Sequence, residues 1–326
     1  MGIQESLNDD VVLWRYMDLS KLLSLLLDRK LTFCRSDKFE DKFEGYPNNY
    51  VEHLKSSYMG NAFLGVMGEY KGYYETGLRK NYIKGINYNS FVSCWHINEF
   101  ESAAMWKLYC TSSDSIAVKT TVGKLKLALG RYDDSLTYGK IHYDFNLKNI
   151  KKINHVNLAD PLFIKRESFA HEKEFRIVYR DNQKLNTHLD EIKRAFKEFH
   201  NQNIENGRYE NLTEDLKLLL ESGIYLEHTM LKSFYSKCED KLKKFYENGE
   251  ILDQSYFENW CISTLDHLEK NQPFVESLEI DPIAFIDELI ISPTSTDWFI
   301  KILKKMLVEL KYNDIAIKKS DLNELN

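Results

Sequence analysis

The chain has 326 residues and a formal net charge of -6, from 44 Lys and Arg against 50 Asp and Glu, which disfavours a charge-driven nucleic-acid binder because neutralising phosphates takes clustered cations. Hydrophobic residues make up 43% and aromatic residues 13%, ample for a buried core, and 29% charged residues of both signs keep the surface wet. The five cysteines, Cys34, Cys94, Cys110, Cys238 and Cys261, are an odd set without C-x-x-C spacing, which argues against a disulfide framework or a structural zinc site and for a reducing cytoplasm.

The longest apolar block near the start, residues 22–27, falls far short of the roughly 20 residues that span a bilayer. Residues 1–10 show neither a basic n-region nor a cleavage site. The expected protein is cytoplasmic, with no membrane partner.

In chain order, residues 11–16 are β-rich and run into a helix over 19–27, with leucines at helical spacing and Ser20 as a plausible N-cap. Residues 31–35 read as a strand, and 36–45 as a polar loop that carries Phe39 and Phe43 among its charges. Residues 48–88, rich in Tyr, Asn and Gly, read as a helical cover. Residues 89–95 form a strand, followed by a helix over 101–109 whose Met105, Trp106 and Tyr109 share a face. Strands at 115–120 and 138–143 bracket a helix at 125–129, and a helix over 163–169 leads into a strand at 174–179.

From 182 to 279 the character changes to long amphipathic helices, at 189–199, 212–220 and 231–246, read as a helical insertion. Strands resume at 286–291, then a helix at 298–310 and a last short strand at 314–318. The expected fold is α+β: a single mixed, mainly antiparallel sheet with flanking helices. Residues 1–181 supply the N-terminal part of the core, 182–279 the insertion, and 280–326 the strand, helix and strand that complete it.

Four groups of residues carry the candidate chemistry. Glu172 and Glu174, two apart at a strand start, fall on one face, where like charges shift each other's pKa and divide a task between them. Their structural alternative is a strand edge paired with Lys165 or Arg166. Arg15 and Tyr16 sit between apolar Trp14 and Met17, and a half-buried arginine wants a carboxylate or a phosphate. Ser93 or Cys94 could serve as a nucleophile with His96 or His171 as base, although Cys94 suits a small core residue. Trp95, Met105, Trp106 and Tyr109 either stack on a planar ligand or fill the core. No Walker loop, G-x-G-x-x-G, G-x-S-x-G or H-E-x-x-H occurs, so any phosphate would be held by Arg and Lys, and no metal site is expected.

These segments resemble the bacterial family called domain of unknown function 2971 (DUF2971), through a first strand ending in Arg15-Tyr16 and the loop Phe39-Glu40-Asp41-Lys42-Phe43-Glu44. Ser93-Cys94-Trp95, the helix with Met105-Trp106 and Tyr109, and the run His171 to Arg176 extend the resemblance, as do residues 286–293 and 315–320. The loop departs from the family pattern at Glu40 and Lys42, where Asn and Pro are usual. The order of these elements is similar to ADP-ribosyltransferases, which implies NAD as substrate. On that likeness Arg15 would hold the pyrophosphate and Ser93 the nicotinamide ribose, with Tyr16, Trp95, Trp106 or Tyr109 against the nicotinamide and Phe39 and Asp41 in the adjoining loop. Glu174 would stabilise the oxocarbenium-like sugar and Glu172 would orient or activate the acceptor.

The resemblance implies a toxin or phage-defence effector acting on a protein or nucleic-acid acceptor, with a regulatory protein partner. Two alternatives stand beside it. One is a metal-dependent nuclease or phosphodiesterase built on Asp37, Glu40, Asp41, Lys42 and Glu44. The other is a non-catalytic binding module whose insertion does the recognising.

Overall fold

The computed structural model describes residues 7–41, 44, 87–110, 112–143, 160–181, 270 and 272–323. The helices expected within 48–86 and 182–269 lie outside these residues, as do Lys42, Phe43, Cys238 and Cys261.

Strand β1 (Val12–Asp18) buries side chains of both parities, with Leu13 and Met17 on one side and Trp14 and Tyr16 on the other. Such a strand belongs in the middle of a sheet covered on both faces. It leads directly into α1 (Leu19–Asp28), whose Leu22, Leu25 and Leu26 are buried at helical spacing. Asp18, not Ser20, occupies the N-cap position, and its carboxylate accepts from Ser115 Oγ at 3.0 Å instead of capping. The helix stops at Arg29, in the left-handed region with φ 50°, where its guanidinium reaches the Tyr312 hydroxyl at 3.2 Å.

There follow β2 (Lys30–Arg35), β3 (Phe91–Ile97), α2 (Ala103–Tyr109), β4 (Ser115–Thr121), α3 (Val122–Leu129), β5 (Leu136–Lys140), β6 (His142–Tyr143), β7 (Ile164–Lys165) and β8 (Glu174–Tyr179). The chain closes with β9 (Val275–Glu279), α4 (Pro282–Phe285), β10 (Glu288–Ile291), α5 (Asp297–Glu309) and β11 (Ala316–Lys319). Nine strands make one mixed, mostly antiparallel sheet in the order β11-β10-β4-β1-β3-β2-β9, with β8 on β3 and β5 on β8. Within this sheet only β10 and β11 run parallel, and β6 and β7 form a separate, parallel two-stranded sheet. This is an α+β fold, as its pattern of strands and helices predicts.

Three local expectations differ. Residues 163–169 are not a helix: Asp160–Phe163 and Glu167–Glu172 are 3-10 turns on either side of the two-residue β7. The expected strand over 138–143 is two strands, β5 and β6. And β9 falls inside the stretch expected to be helical, because its pairing with β2 from Lys30↔Glu279 to Cys34↔Val275 is a long-range contact that helical periodicity cannot signal.

The sheet buries its first face under α1, α3 and α5, whose Leu22, Leu25, Leu26, Leu125, Leu129, Phe299, Leu303 and Leu307 pack on Leu13, Phe33, Trp95, Ile116, Val118, Phe175 and Ile177. Each such fully buried side chain contributes roughly 1.5–3 kcal/mol of transfer free energy. The second face carries two smaller clusters. Trp14, Tyr16, Ala117 and Ile290 lie under Met105 and Trp106 of α2, and Val92 and Val178 lie with Ile141, Leu162, Phe163 and Ile164. Among the described residues no helix is long and apolar enough to cross a membrane.

Candidate functional site

One edge of β3 is paired with β8 from Phe91↔Tyr179 to His96↔Glu174. Its other edge is shared. β1 holds it at Leu13↔Ile97 and Trp14↔His96, whereas β2 holds it at Cys34↔Val92 and Arg35↔Phe91. Between these pairings β1 and β2 part from β3, and the fork lies beside Ser93, Cys94 and Trp95.

Arg15 occupies the fork. Its guanidinium donates to Ser93 Oγ at 3.0 Å and to the Thr32 carbonyl at 3.2 Å, and lies 5.5 Å from the centre of the Trp95 ring. Trp95 Nε1 also donates to Ser93 Oγ, at 3.2 Å, so the serine accepts twice. Arg15 is partly exposed, and among the described residues no carboxylate contacts it. Burial pulls its pKa down, and the nearby Cys94 and Cys34 sulfurs oppose that. A desolvated guanidinium whose partners are all neutral retains its attraction for an anion.

By strand alternation Arg15 projects on the same side of β1 as Leu13 and Met17, the first face, where it meets Ser93 and Trp95, whereas Glu174 and Arg176 project on the second. Ser93 and Trp95 are almost fully buried toward the first face, while Thr32 and Cys94 are half-buried and Cys34 is exposed. Cys94 alternates with Ser93 and so projects onto the second face, across from Arg176 in register and diagonal to Glu174.

There the second half of the site stands. Arg176 donates through Nε to Glu174 Oε1 at 2.7 Å and through Nη2 to Glu174 Oε2 at 2.9 Å, a bidentate pair. Its Nη2 also meets Glu44 at 3.2 Å and its Nη1 the Leu162 carbonyl at 2.7 Å. Lys165 Nζ lies 2.7 Å from Glu44, 2.8 Å from Glu172 and 3.5 Å from Glu174. Burial works to raise the Glu174 carboxyl, but Arg176, then Lys165 and Cys94, outweigh it and hold the group below its ordinary value. For Lys165 burial works downward, and Glu174 and Glu44 prevail and raise it.

Glu172 reaches this cluster by an unexpected route. It ends a 3-10 turn instead of opening β8, and Lys173, with φ 41°, reverses the chain so that Glu172 and Glu174 still meet the same ammonium. Tyr109, 46% exposed, donates to Glu172 Oε2 at 3.3 Å. Burial raises the Tyr109 phenol, and Glu172, Glu174 and Cys94 push it further. Burial likewise lifts the Cys94 thiol well above its usual value, with Glu174 adding to that, so the thiol stays protonated and is no thiolate nucleophile.

The expected site residues therefore divide. Arg15 and Ser93 are brought into contact with each other, with Trp95 buried against them. Glu172 and Glu174 meet at Lys165, and Tyr109 joins them through its bond to Glu172. Cys94 stands between the sets, in electrostatic range of Arg15 and of Glu174. Tyr16 and Trp106 pack edge to face at 5.0 Å, with their polar tips taken by Ser102 N–H and Glu101. Phe39 lies 4.8 Å beneath the Arg176 guanidinium, and Asp41 pairs with Arg166 at 2.9 Å. His171 is exposed. His96 bonds through Nδ1 to the Glu172 carbonyl at 2.5 Å, its Nε2 buried without a partner.

Sequence reasoning passed over Glu44 as part of this cluster and treated Lys165 only as a structural partner. The signal for Glu44 is its place in the loop motif. Lys165 offers little, since one lysine on a two-residue strand has no pattern around it. Three of the loop acids are committed to cations: Asp37 to Arg35 and Lys38, Asp41 to Arg166, and Glu44 to Lys165 and Arg176, while Glu40 is exposed. Among the described residues no group of three His, Cys, Asp or Glu could hold a metal ion.

No protein-family model, curated protein or solved structure matches this chain.

Proposed function

We propose that this chain is an NAD-consuming enzyme of the ADP-ribosyltransferase kind, binding the dinucleotide along a strip that runs from Arg15 at the fork, past Cys94, to the carboxylate cluster. One observation carries the proposal: the two ends of this strip have opposite, uncompensated charge. At the fork Arg15 has no carboxylate partner among the described residues. At the other end three carboxylates, Glu44, Glu172 and Glu174, face two cations, Lys165 and Arg176. A ligand with an anionic pyrophosphate and a cationic nicotinamide ribose has the complementary distribution.

In the proposed reaction the bond between the ribose anomeric carbon and the pyridinium nitrogen breaks, and its electron pair leaves with neutral nicotinamide. Positive charge passes to the sugar, where the carboxylate cluster favours it. The acceptor's nucleophile then bonds to the anomeric carbon and gives its proton to Glu172, the more exposed of the two carboxylates that flank Lys173.

The test is mass detection of free nicotinamide from NAD, with calorimetric binding beside it. The wild-type chain is expected to release nicotinamide. Arg15→Met is expected to raise the KM for NAD, and Glu174→Gln to abolish turnover while binding persists. Absence of both NAD binding and nicotinamide release from the folded wild-type chain would overturn the proposal.

A second reading, a nucleotide-binding module without turnover, is favoured by the bidentate Arg176 pair, which already occupies both oxygens of Glu174. NAD binding without nicotinamide release from any cellular fraction would establish it.

A further inference from the structure

We infer that Glu44 sets the charge of the carboxylate end and so makes it selective for a flat cation. The inference rests on the proposed NAD-binding strip, but its test does not need turnover.

Glu44 comes from the loop after β2, far in sequence from the rest of the cluster, and its side chain is only 3% exposed. Its Oε1 lies 2.7 Å from Lys165 Nζ and its Oε2 3.2 Å from Arg176 Nη2. Yet Oε1 has no hydrogen-bond partner, so the ammonium sits near it without aiming an N–H along the line of approach. Lys165 directs its bonds to Glu172 and Glu174 instead. Without Glu44 the cluster would be balanced, two carboxylates against two cations. With it one negative charge is left over, in a region where burial weakens screening.

Glu44 is thus a positioning residue that acts through Lys165 and Arg176 and need not touch the ligand. The surplus lies nearest solvent at Glu172, the least buried of the three carboxylates, whose Oε2 accepts from the hydroxyl of the half-exposed Tyr109. An aromatic ring beside a carboxylate suits a flat, permanently charged pyridinium, which gains from both the charge and the ring face.

The probes are 1-methylnicotinamide, a pyridinium cation, and nicotinamide, its neutral counterpart, titrated into the full chain at low salt and followed by NMR. The wild-type chain is expected to bind the cation about five-fold or more tightly than the neutral ring, the effect of one partly screened charge at contact distance. Glu44→Gln keeps the shape and removes the charge, and is expected to bring the ratio close to one. Glu44→Asp is expected to retain a preference for the cation. Should Glu44→Gln fail to fold, the wild-type ratio and its decline with added salt decide the matter.

Equal affinity of the wild-type chain for the two probes overturns the inference, as does an unchanged ratio in folded Glu44→Gln. A cation preference that depends on Glu44, in a chain that neither binds nor cleaves NAD, would sustain the role of Glu44 and remove the NAD proposal.

Discussion

Arg15 and Arg176 occupy equivalent settings and meet opposite fates. Each comes from a strand next to β3, and each guanidinium reaches a backbone carbonyl, that of Thr32 for Arg15 and that of Leu162 for Arg176. Arg176 is closed in by two carboxylates and 1% exposed. Arg15 has a serine, a carbonyl and an indole face. A cation compensated on every side serves the fold, whereas one left uncompensated and partly exposed is free to serve a ligand. The comparison locates binding at the fork and assigns rigidity to the β8 end.

The largest effect should follow from breaking the compensated side. Arg176→Ala leaves Glu174 and Glu44 buried with Lys165 as their remaining cation, and is expected to cost about 3–5 kcal/mol, the scale of stranding one partner of a buried pair. Urea denaturation measures it. A loss below about 1 kcal/mol, the level of exposed ion pairs, would show that Arg176 is not compensated as drawn.

A smaller effect concerns pH and a group intermediate between the two arginines. His96 is satisfied at Nδ1 and unsatisfied at Nε2. Burial lowers its pKa, the bond to the Glu172 carbonyl opposes this, and Lys173 lowers it further. The folded state then binds a proton less readily than the unfolded chain, whose imidazole titrates near about 6.5. Its stabilising contribution is present above that pH and lost as pH falls through the depressed folded value. Urea midpoints at stepped pH below neutrality should fall for the wild-type chain and fall less for His96→Phe. Equal slopes would remove His96 from the acid response.

How much of this was legible follows from the range of each interaction. The class of fold, the strands 11–16, 89–95 and 174–179, and the order Arg15, Ser93, Glu172 and Glu174 rest on local patterns, which the chain displays openly. The fork was not legible, since it depends on where β1 and β2 each stop pairing with β3, and no side-chain alternation records that. Nor was the approach of Glu44 and Lys165, which lie 121 residues apart and meet only through tertiary packing. That Glu172 and Glu174 share a side was expected for the wrong reason: the strand does not begin at Glu172, and the left-handed Lys173 restores the result.

The smallest stability effect belongs to the fork and is the sharpest test of the contrast. Arg15→Met keeps an unbranched apolar stem against Trp95 and deletes the charge. It forgoes the bonds to Ser93 and Thr32, each worth about 0.5–1.5 kcal/mol net, and it also removes the desolvation cost of a half-buried, uncompensated cation, a cost that can match or exceed such gains. The two terms oppose each other, so the urea-derived stability of Arg15→Met is expected to lie within about 1 kcal/mol of the wild type, in sharp distinction from Arg176→Ala. Affinity for an anionic nucleotide should move the other way, falling in Arg15→Met and persisting in any Arg176 variant that folds. A loss of stability as large as that of Arg176→Ala would mean that Arg15 is as structural as its counterpart, and the fork would then lose its claim to a ligand.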